Sequence, residues 1–308
     1  MTSKGSTQFQ SLASTNARIA YLQDDNRFLS EKPYLYLLPQ HPDFPITNCT
    51  FSSSVLTPVV DVRGYPQSAN FDNDGFEFLT NPVPDIDLAL LASESKLSPI
   101  LLLYLDRMRL LAQQRTRADD AIVFDWRIRR FSPTDSVDGI EEDTANRHEF
   151  TRPAYKAHGD LSPRGGWLTL KAYLKEEEYL KVSGGKWRAR MVTCWRPLVP
   201  QILDCPLAFC KRGSIENDDF VPYDRVDGTG DGEGLFLKQS KSQSWYWLSR
   251  QTRDEVSFFE SWDSASQGCN AHTIHAAFQL SSSQLRPEER RTSIEVRIIA
   301  LQKNHDEA

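Results

Sequence analysis

From about residue 150 the chain breaks into short runs of β-branched, aromatic and aliphatic residues, each closed by a turn. The runs are "RARMVTCW", "EGLFLKQS", "SWYWLS", "EVSFFESW" and "TSIEVRIIAL". "SGGKW" and the Gly- and Asp-rich "DRVDGTGDGEG" stand between them. Many short strands at this spacing close into a β-sandwich or barrel, whereas a parallel α/β sheet needs a helix at each crossover. The expectation is a mainly β protein.

Helices are expected to flank that core, and they gather in the first half. Residues Asp85 to Arg117 are rich in Leu and Ala, and Pro99 inside them predicts two helices. "TPVVDVRG" (Thr57 to Gly64) and "AIVFDWRIRRF" (Ala121 to Phe131) read as strands. Residues 1 to about 60, rich in Ser, Thr, Pro and aromatics, read as an arm around the core. The polar, acidic stretch 132–149 reads as a loop. At 308 residues and 39% hydrophobic, the chain has apolar material for one large domain. The expected organisation is residues 1–308 as a single unit, with arm and helices over 1–120 and the β core over 121–308.

A net charge of -6 argues against a nucleic-acid partner. The longest apolar run, Ile100 to Leu105, is too short to span a bilayer, and the first residues lack the apolar segment of a secretory signal. Five cysteines without CxxC spacing fit reduced thiols in a cytoplasmic protein. Cys205 and Cys210 lack the second pair that a thiolate metal site needs. A small organic molecule is the expected partner; oligomeric state is not readable.

Three His-x-acid patterns occur: His41-Pro42-Asp43, His158-Gly159-Asp160 and His305-Asp306-Glu307. The first lies between prolines and the third in a charged tail. The second, in "YKAHGDLSP", has strand-like surroundings. A strand over Tyr155 to Leu161 would put His158 and Asp160 on one face, with Gly159 allowing close approach. Two histidines and a carboxylate on one face of a metal leave three positions open, as in non-heme Fe(II) oxygenases. "CNAHTIHAAF" offers two candidates for the second histidine, His272 and His275. Their odd separation sends them to opposite faces of a strand, and His275, which opens "HAAFQL", is favoured.

Arg291 and Ser293 follow on the next predicted strand and share a face. A guanidinium with a hydroxyl beside it suits the far carboxylate of a dicarboxylate cosubstrate, because Arg offers a bidentate fork. Glu295 and Arg297 read as partners for cross-strand ion pairs. For a substrate, the candidates are Arg129 and Arg130 at a strand end, Arg190 and Arg196 in "RARMVTCWR", and Tyr246 and Trp247 as an aromatic wall.

From about Val59 onward the chain resembles the fungal asaB-type hydroxylase/desaturase family, which includes gibberellin desaturase-like proteins. "VVDVRG", "GFEFL", "VFDWRIRR", "AHGD", "CWRPLVPQILDCPLAFC", "SWYWLSRQTRDEVSFFESWDS", "HAAF" and "RTSIEVR" carry the resemblance in order. It implies a double-stranded β-helix (jelly-roll, cupin-like) core. It also implies an Fe(II)/2-oxoglutarate-dependent dioxygenase of secondary-metabolite biosynthesis that uses O2 and forms succinate. On it, His158, Asp160 and His275 fall at the metal positions, Arg291 at the 2-oxoglutarate position. Cys194, Ile274 and Thr292 stand where the family often has Asn, Pro and Glu. Hydroxylation, desaturation and oxidative ring formation remain open outcomes. A metal-dependent isomerase or epimerase on this fold, or a non-catalytic jelly-roll binding protein, are the other readings.

Overall fold

The architecture is taken from a computed structural model. It describes residues 13–36, 45–53, 55–65, 69–94, 96–132, 151–226, 231–266, 271–281 and 285–304. His41, Asp43, His305 and most of the acidic stretch 132–149 lie outside the described residues.

In the first third, short strands β1 (Ser14–Arg18), β2 (Tyr21–Leu22), β3 (Tyr34–Tyr36), β4 (Phe51–Ser52) and β5 (Leu56–Asp61) precede the one-turn helix α1 (Phe71–Asp74) and strand β6 (Phe76–Thr80). Helices α2 (Leu88–Leu91) and α3 (Pro99–Thr116) follow. The expected break at Pro99 is where α3 begins: Ser98 Oγ accepts from Leu101 N, and Pro99 occupies the first turn, where its missing N–H costs nothing. Arg117, at φ 55°, ends the helix in the left-handed region.

The remainder supplies β7 (Asp120–Arg130), β8 (His158–Gly159), helices α4 (Pro163–Tyr173) and α5 (Glu176–Ser183), β9 (Trp187–Pro197), β10 (Leu207–Cys210), β11 (Phe220–Val226), β12 (Asp231–Leu237), β13 (Trp245–Trp247), β14 (Glu255–Asp263), β15 (His275–Ala277) and β16 (Thr292–Lys303). The expected strand over 155–161 is shorter: only His158 and Gly159 belong to β8. The two helices α4 and α5 were not anticipated in the strand-rich half.

Apart from β2 and β4, which pair with each other, these strands form two facing sheets. One runs β6-β14-β9-β16-β7, antiparallel throughout. The other is nine-stranded, β1-β5-β13-β10-β15-β8-β12-β11-β3. Its central β13-β10-β15-β8 faces β14-β9-β16-β7, giving the two four-stranded layers of a double-stranded β-helix. The sheet order alternates between the layers along the chain, as a jelly roll requires. The fold class expected from the sequence is therefore the one observed.

Alternation along each strand separates two interiors. Ile294, Val296 and Ile298 of β16, with Val192 and Cys194 of β9, pack against Leu101, Tyr104, Leu105, Met108 and Ala112 of α3. The intervening residues Ser293, Glu295 and Arg297 face the other sheet. The outer core is mostly apolar, with Arg196 and Tyr104 paired inside it, while the carboxylate-rich cluster around Glu295 and Arg297 lies between the sheets.

Candidate metal centre and its cavity

β8 lies beside β15 with His158 directly opposite His275. Their rings are 4.4 Å apart between centroids, tilted by 53°. Asp160 follows one residue beyond β8. One ligand atom each from His158, Asp160 and His275 lies within 4.8 Å of the others. His158 Nδ1 is 2.8 Å from the Lys156 carbonyl and His275 Nδ1 is 3.3 Å from the Thr273 carbonyl. Carbonyls only accept, so Nδ1 carries the proton in each ring and Nε2 keeps its lone pair. Burial, then the neighbouring His158, push His275 down to about 4, so its imidazole is neutral and ready to ligate.

The other candidate, His272, precedes β15 and is not in this cluster. It is 1% exposed, with Nδ1 3.3 Å from the Ser261 carbonyl and its ring against Phe220. Of the two histidines in "CNAHTIHAAF", the fold brings His275 to His158 and Asp160.

Both oxygens of Asp160 are held. Oδ1 accepts from Arg297 Nη2 at 3.1 Å and Oδ2 from Ser261 Oγ at 3.0 Å. Burial works to raise its pKa, but Arg297, the two histidines and the Ser261 bond outweigh burial and hold it well below the usual carboxylate range. Arg297 also donates to Asp125 Oδ2 at 2.7 Å and to Glu295 Oε1 at 2.8 Å. Glu295 and Arg297 thus pair with each other along β16 and also across to β7, Arg297 with Asp125 and Glu295 with Arg129, the cross-strand pairing expected of them from the sequence.

Arg291 and Ser293 share the inward face, as alternation requires. Arg291 is 1% exposed; Nε donates to Ser293 Oγ at 3.2 Å, Nη1 to the Cys205 carbonyl at 2.9 Å, and the guanidinium lies 5.1 Å from the Trp195 ring. Neither residue lines the cavities beside Asp160. Arg129 grips Glu295 with Nε and Nη2 at 3.1 and 3.2 Å, and lines a recess next to His158.

The other substrate candidates lie elsewhere. Arg196 faces α3, bonding Tyr104, Asn81 and the Arg253 carbonyl, because its parity on β9 is that of the outer core. Arg190 pairs with Glu260 beside Arg212 and covers the Phe71 ring. Exposed Arg130 donates to the Ala92 carbonyl. Tyr246 is opposite Phe209 on the face that carries His275. Trp247 points the other way and packs on Phe278. None of these five lines the cavity.

That cavity, of about 590 Å³, is bounded by Phe124, Leu168, Tyr173 and Met191 on its apolar side, and by Asp160, Arg127, Arg225 and Arg297 on its polar side. Helix α4 forms one wall. Its volume is typical of sites for small organic molecules. The α4 wall, Ser261 and Arg297 were not singled out from the sequence for this site. Their only signal was the inward parity of Arg297 with Arg291.

The donor set itself discriminates among metals. Two imidazoles that each donate through Nδ1 and one ionised carboxylate, on adjoining strands and beside a cavity, match the facial arrangement of a divalent iron site. Thiolates are absent from the group, which argues against a closed structural zinc site.

A family model described as "Oxidoreductase/YMDC permease-like domain" matches residues 19–301. Among curated proteins, the chain is similar to "Gibberellin cluster GA4 desaturase" of Gibberella fujikuroi, 30% identical over 194 residues, 54% of each chain. It is 29% identical over 207 residues to "Fe(II)/2-oxoglutarate-dependent dioxygenase nvfI" of Aspergillus novofumigatus, covering 66% of this chain and 68% of that one. The aligned stretches thus span between about half and two thirds of these relatives' lengths. A solved structure of "iron and alpha-ketoglutarate-dependent endoperoxidase NvfI" superposes with a TM-score of 0.76 at 23% identity, covering 94% of this chain and 99% of that one. That likeness is one of fold.

Proposed function

Since the chain belongs to the family described as oxidoreductase/YMDC permease-like domain, we propose that it is a non-heme Fe(II)/2-oxoglutarate-dependent oxygenase. Its substrate would be a small organic molecule of fungal secondary metabolism, the field in which its curated relatives are named. The observation that carries this reading is the meeting of His158, Asp160 and His275 within 4.8 Å inside a double-stranded β-helix, beside a cavity of about 590 Å³.

In this reading His158, Asp160 and His275 hold iron. With 2-oxoglutarate and O2 bound, the iron supplies the oxidising chemistry, coupled to formation of succinate and CO2. The protein's own residues orient and exclude. Lys156 and Thr273 carbonyls fix the two imidazole tautomers. Arg297 and Ser261 hold the two oxygens of Asp160, so the carboxylate meets the metal in one orientation. Arg291, steadied by Ser293 and Cys205, offers a buried guanidinium to the C5 carboxylate of 2-oxoglutarate. Phe209 and Phe259 flank His275 and keep water from that side.

No helix among the described residues is long and apolar enough to cross a membrane. The four described cysteines are free thiols, which supports a reducing, cytoplasmic setting. The deciding experiment is O2-dependent conversion of 2-oxoglutarate to succinate by the Fe(II)-loaded protein, screened against fungal metabolite extracts. Stoichiometric succinate with substrate oxidation is expected. Substrate conversion without succinate would instead mark an isomerase or epimerase.

A further inference from the structure

Beside His158 and adjoining the large cavity is a recess of about 40 Å³, lined on its charged side by Arg127, Arg129, Lys156, Arg225 and Arg297 together with the Asp160 carboxylate. Tyr223, Phe236 and Leu35 close its far wall. Two polar groups there are unusual. Lys156 is 4% exposed, and its Nζ has no hydrogen-bond partner among the described residues; Phe51 lies 5.0 Å away under it. Arg297 is 8% exposed, and its Nε is likewise without a partner although both Nη atoms are paired. Burying an ammonium without an acceptor costs several kcal/mol in general, so such a group marks a place where an anion is received.

We propose that this recess is a carboxylate subsite, and that the organic substrate is therefore an acid with an apolar body. The inference rests on the oxygenase reading only for naming the large cavity as the substrate site. Size selects the chemistry. The recess is small, which suits a compact planar anion such as a carboxylate better than a bulkier one. Adjacency points to the source. The recess and the large cavity share Arg127, Asp160, Arg225 and Arg297, so a molecule with its acid group in the recess extends into the large cavity past Asp160. Its apolar body would then lie along Phe124, Leu168, Tyr173 and Met191. Arg291 and Ser293 border neither space, so 2-oxoglutarate affinity is the measurement that separates a substrate acid from the cosubstrate in the recess.

The test uses 1-adamantanecarboxylate and its neutral amide as probes. Each is titrated by calorimetry into the anaerobic, Fe(II)-loaded full chain saturated with 2-oxoglutarate. The acid is expected to bind at least tenfold more tightly than the amide. Lys156→Met should remove most of that preference and Lys156→Arg should keep it, with 2-oxoglutarate affinity unchanged in both. Lys156→Met should melt no lower than the parent, since it removes an unpaired buried charge. Equal binding of acid and amide to the parent protein overturns the proposal, and that comparison decides even if a variant fails to fold. So does a tenfold loss of 2-oxoglutarate affinity in Lys156→Met, which would assign the recess to the cosubstrate. If the parent binds neither Fe(II) nor 2-oxoglutarate but still prefers the acid, the oxygenase reading fails and the carboxylate subsite stands.

Discussion

Arg297 Nη2 donates to Asp160 Oδ1 at 3.1 Å, and the same guanidinium joins Asp125 and Glu295, so one side chain balances three carboxylates between the sheets. An ion cluster this buried is held by its geometry: removing one partner leaves the others charged and unsolvated. Arg297→Met is expected to lose about 3–5 kcal/mol of stability, the range for breaking a buried pair. Arg297→Lys should recover little, because one ammonium lacks the fork that spans separate acceptors. Urea unfolding of the three proteins measures this. A loss below about 1 kcal/mol in Arg297→Met would show that the cluster is wet.

The three histidines near the barrel mouth should separate cleanly in a metal-binding assay. His158→Ala and His275→Ala each delete one of the clustered ligand atoms. Their Fe(II) affinity is expected to fall on the order of 100-fold or more, beyond the usual effect of losing a supporting contact. His272→Ala should stay within a few-fold of the parent, because its ring faces Phe220 and the Ser261 carbonyl. Anaerobic equilibrium dialysis reads all three. Loss of iron in His272→Ala alone would reverse the assignment of the second histidine.

Acid sensitivity follows from the same burial. Burial, with Arg212 nearby, pushes His272 from 6.5 down to about 4, and burial with His158 nearby does the same to His275. Both are neutral in the fold and take up protons once the chain unfolds. Their contribution to stability is full above about pH 6.5 and is lost as pH falls from there toward 4. A depression of this size corresponds to about 3 kcal/mol per histidine. Asp160 and Glu295 act later. Their lowered values, about 2 for Glu295, keep a contribution that disappears only below the ordinary carboxylate range. Urea unfolding of the metal-free protein should therefore weaken steadily between pH 7 and pH 5, and His272→Gln should remove about half of that slope. A slope untouched by His272→Gln would place the proton uptake elsewhere.

The parts of this site that follow simple periodicity were readable from the chain. The barrel strands announced themselves by alternation and turns, and Pro99 marked the start of α3. His158, Asp160 and His275 stood out through order and strand context. Their meeting depends on pairing between β8 and β15, strands of two and three residues, too short to carry a pattern of their own. Gly159 reads as allowing close approach of backbone or ligand, and what approaches it are the Ile274 and Leu235 side chains. Arg196 misled because parity on β9 says that alternate residues share a face, not which face is inward. Helix α4 carries Gly165 and Gly166, poor helix formers, in its first turn, which hides it from a propensity reading. Yet Ser162 Oγ accepts from Gly165 N at 2.9 Å and Pro163 fills the first turn, a normal helix start.

Those two glycines decide where the cavity wall stands. A Cβ on Gly165 would fall on the Glu233 carbonyl oxygen of β12, and one on Gly166 would strike the Trp262 indole. Helix α4 can approach the barrel this closely only without side chains at both positions. Leu168, Thr169, Lys171, Ala172 and Tyr173 then line the cavity from a fixed distance. Gly165→Ala must push the helix off a backbone atom, which cannot rotate away. The expected cost is about 1–3 kcal/mol, as for other overpacked contacts. Displacing α4 also widens the cavity on its apolar side. A substrate acid should therefore bind more weakly to Gly165→Ala, while Fe(II) affinity stays near that of the parent because the three ligands lie on β8, its following residue and β15. Calorimetry with 1-adamantanecarboxylate and iron dialysis on the same preparation separate these effects. Equal loss of both would mean that the helix shift reaches the metal centre, and unchanged binding of the acid would remove α4 from the substrate site.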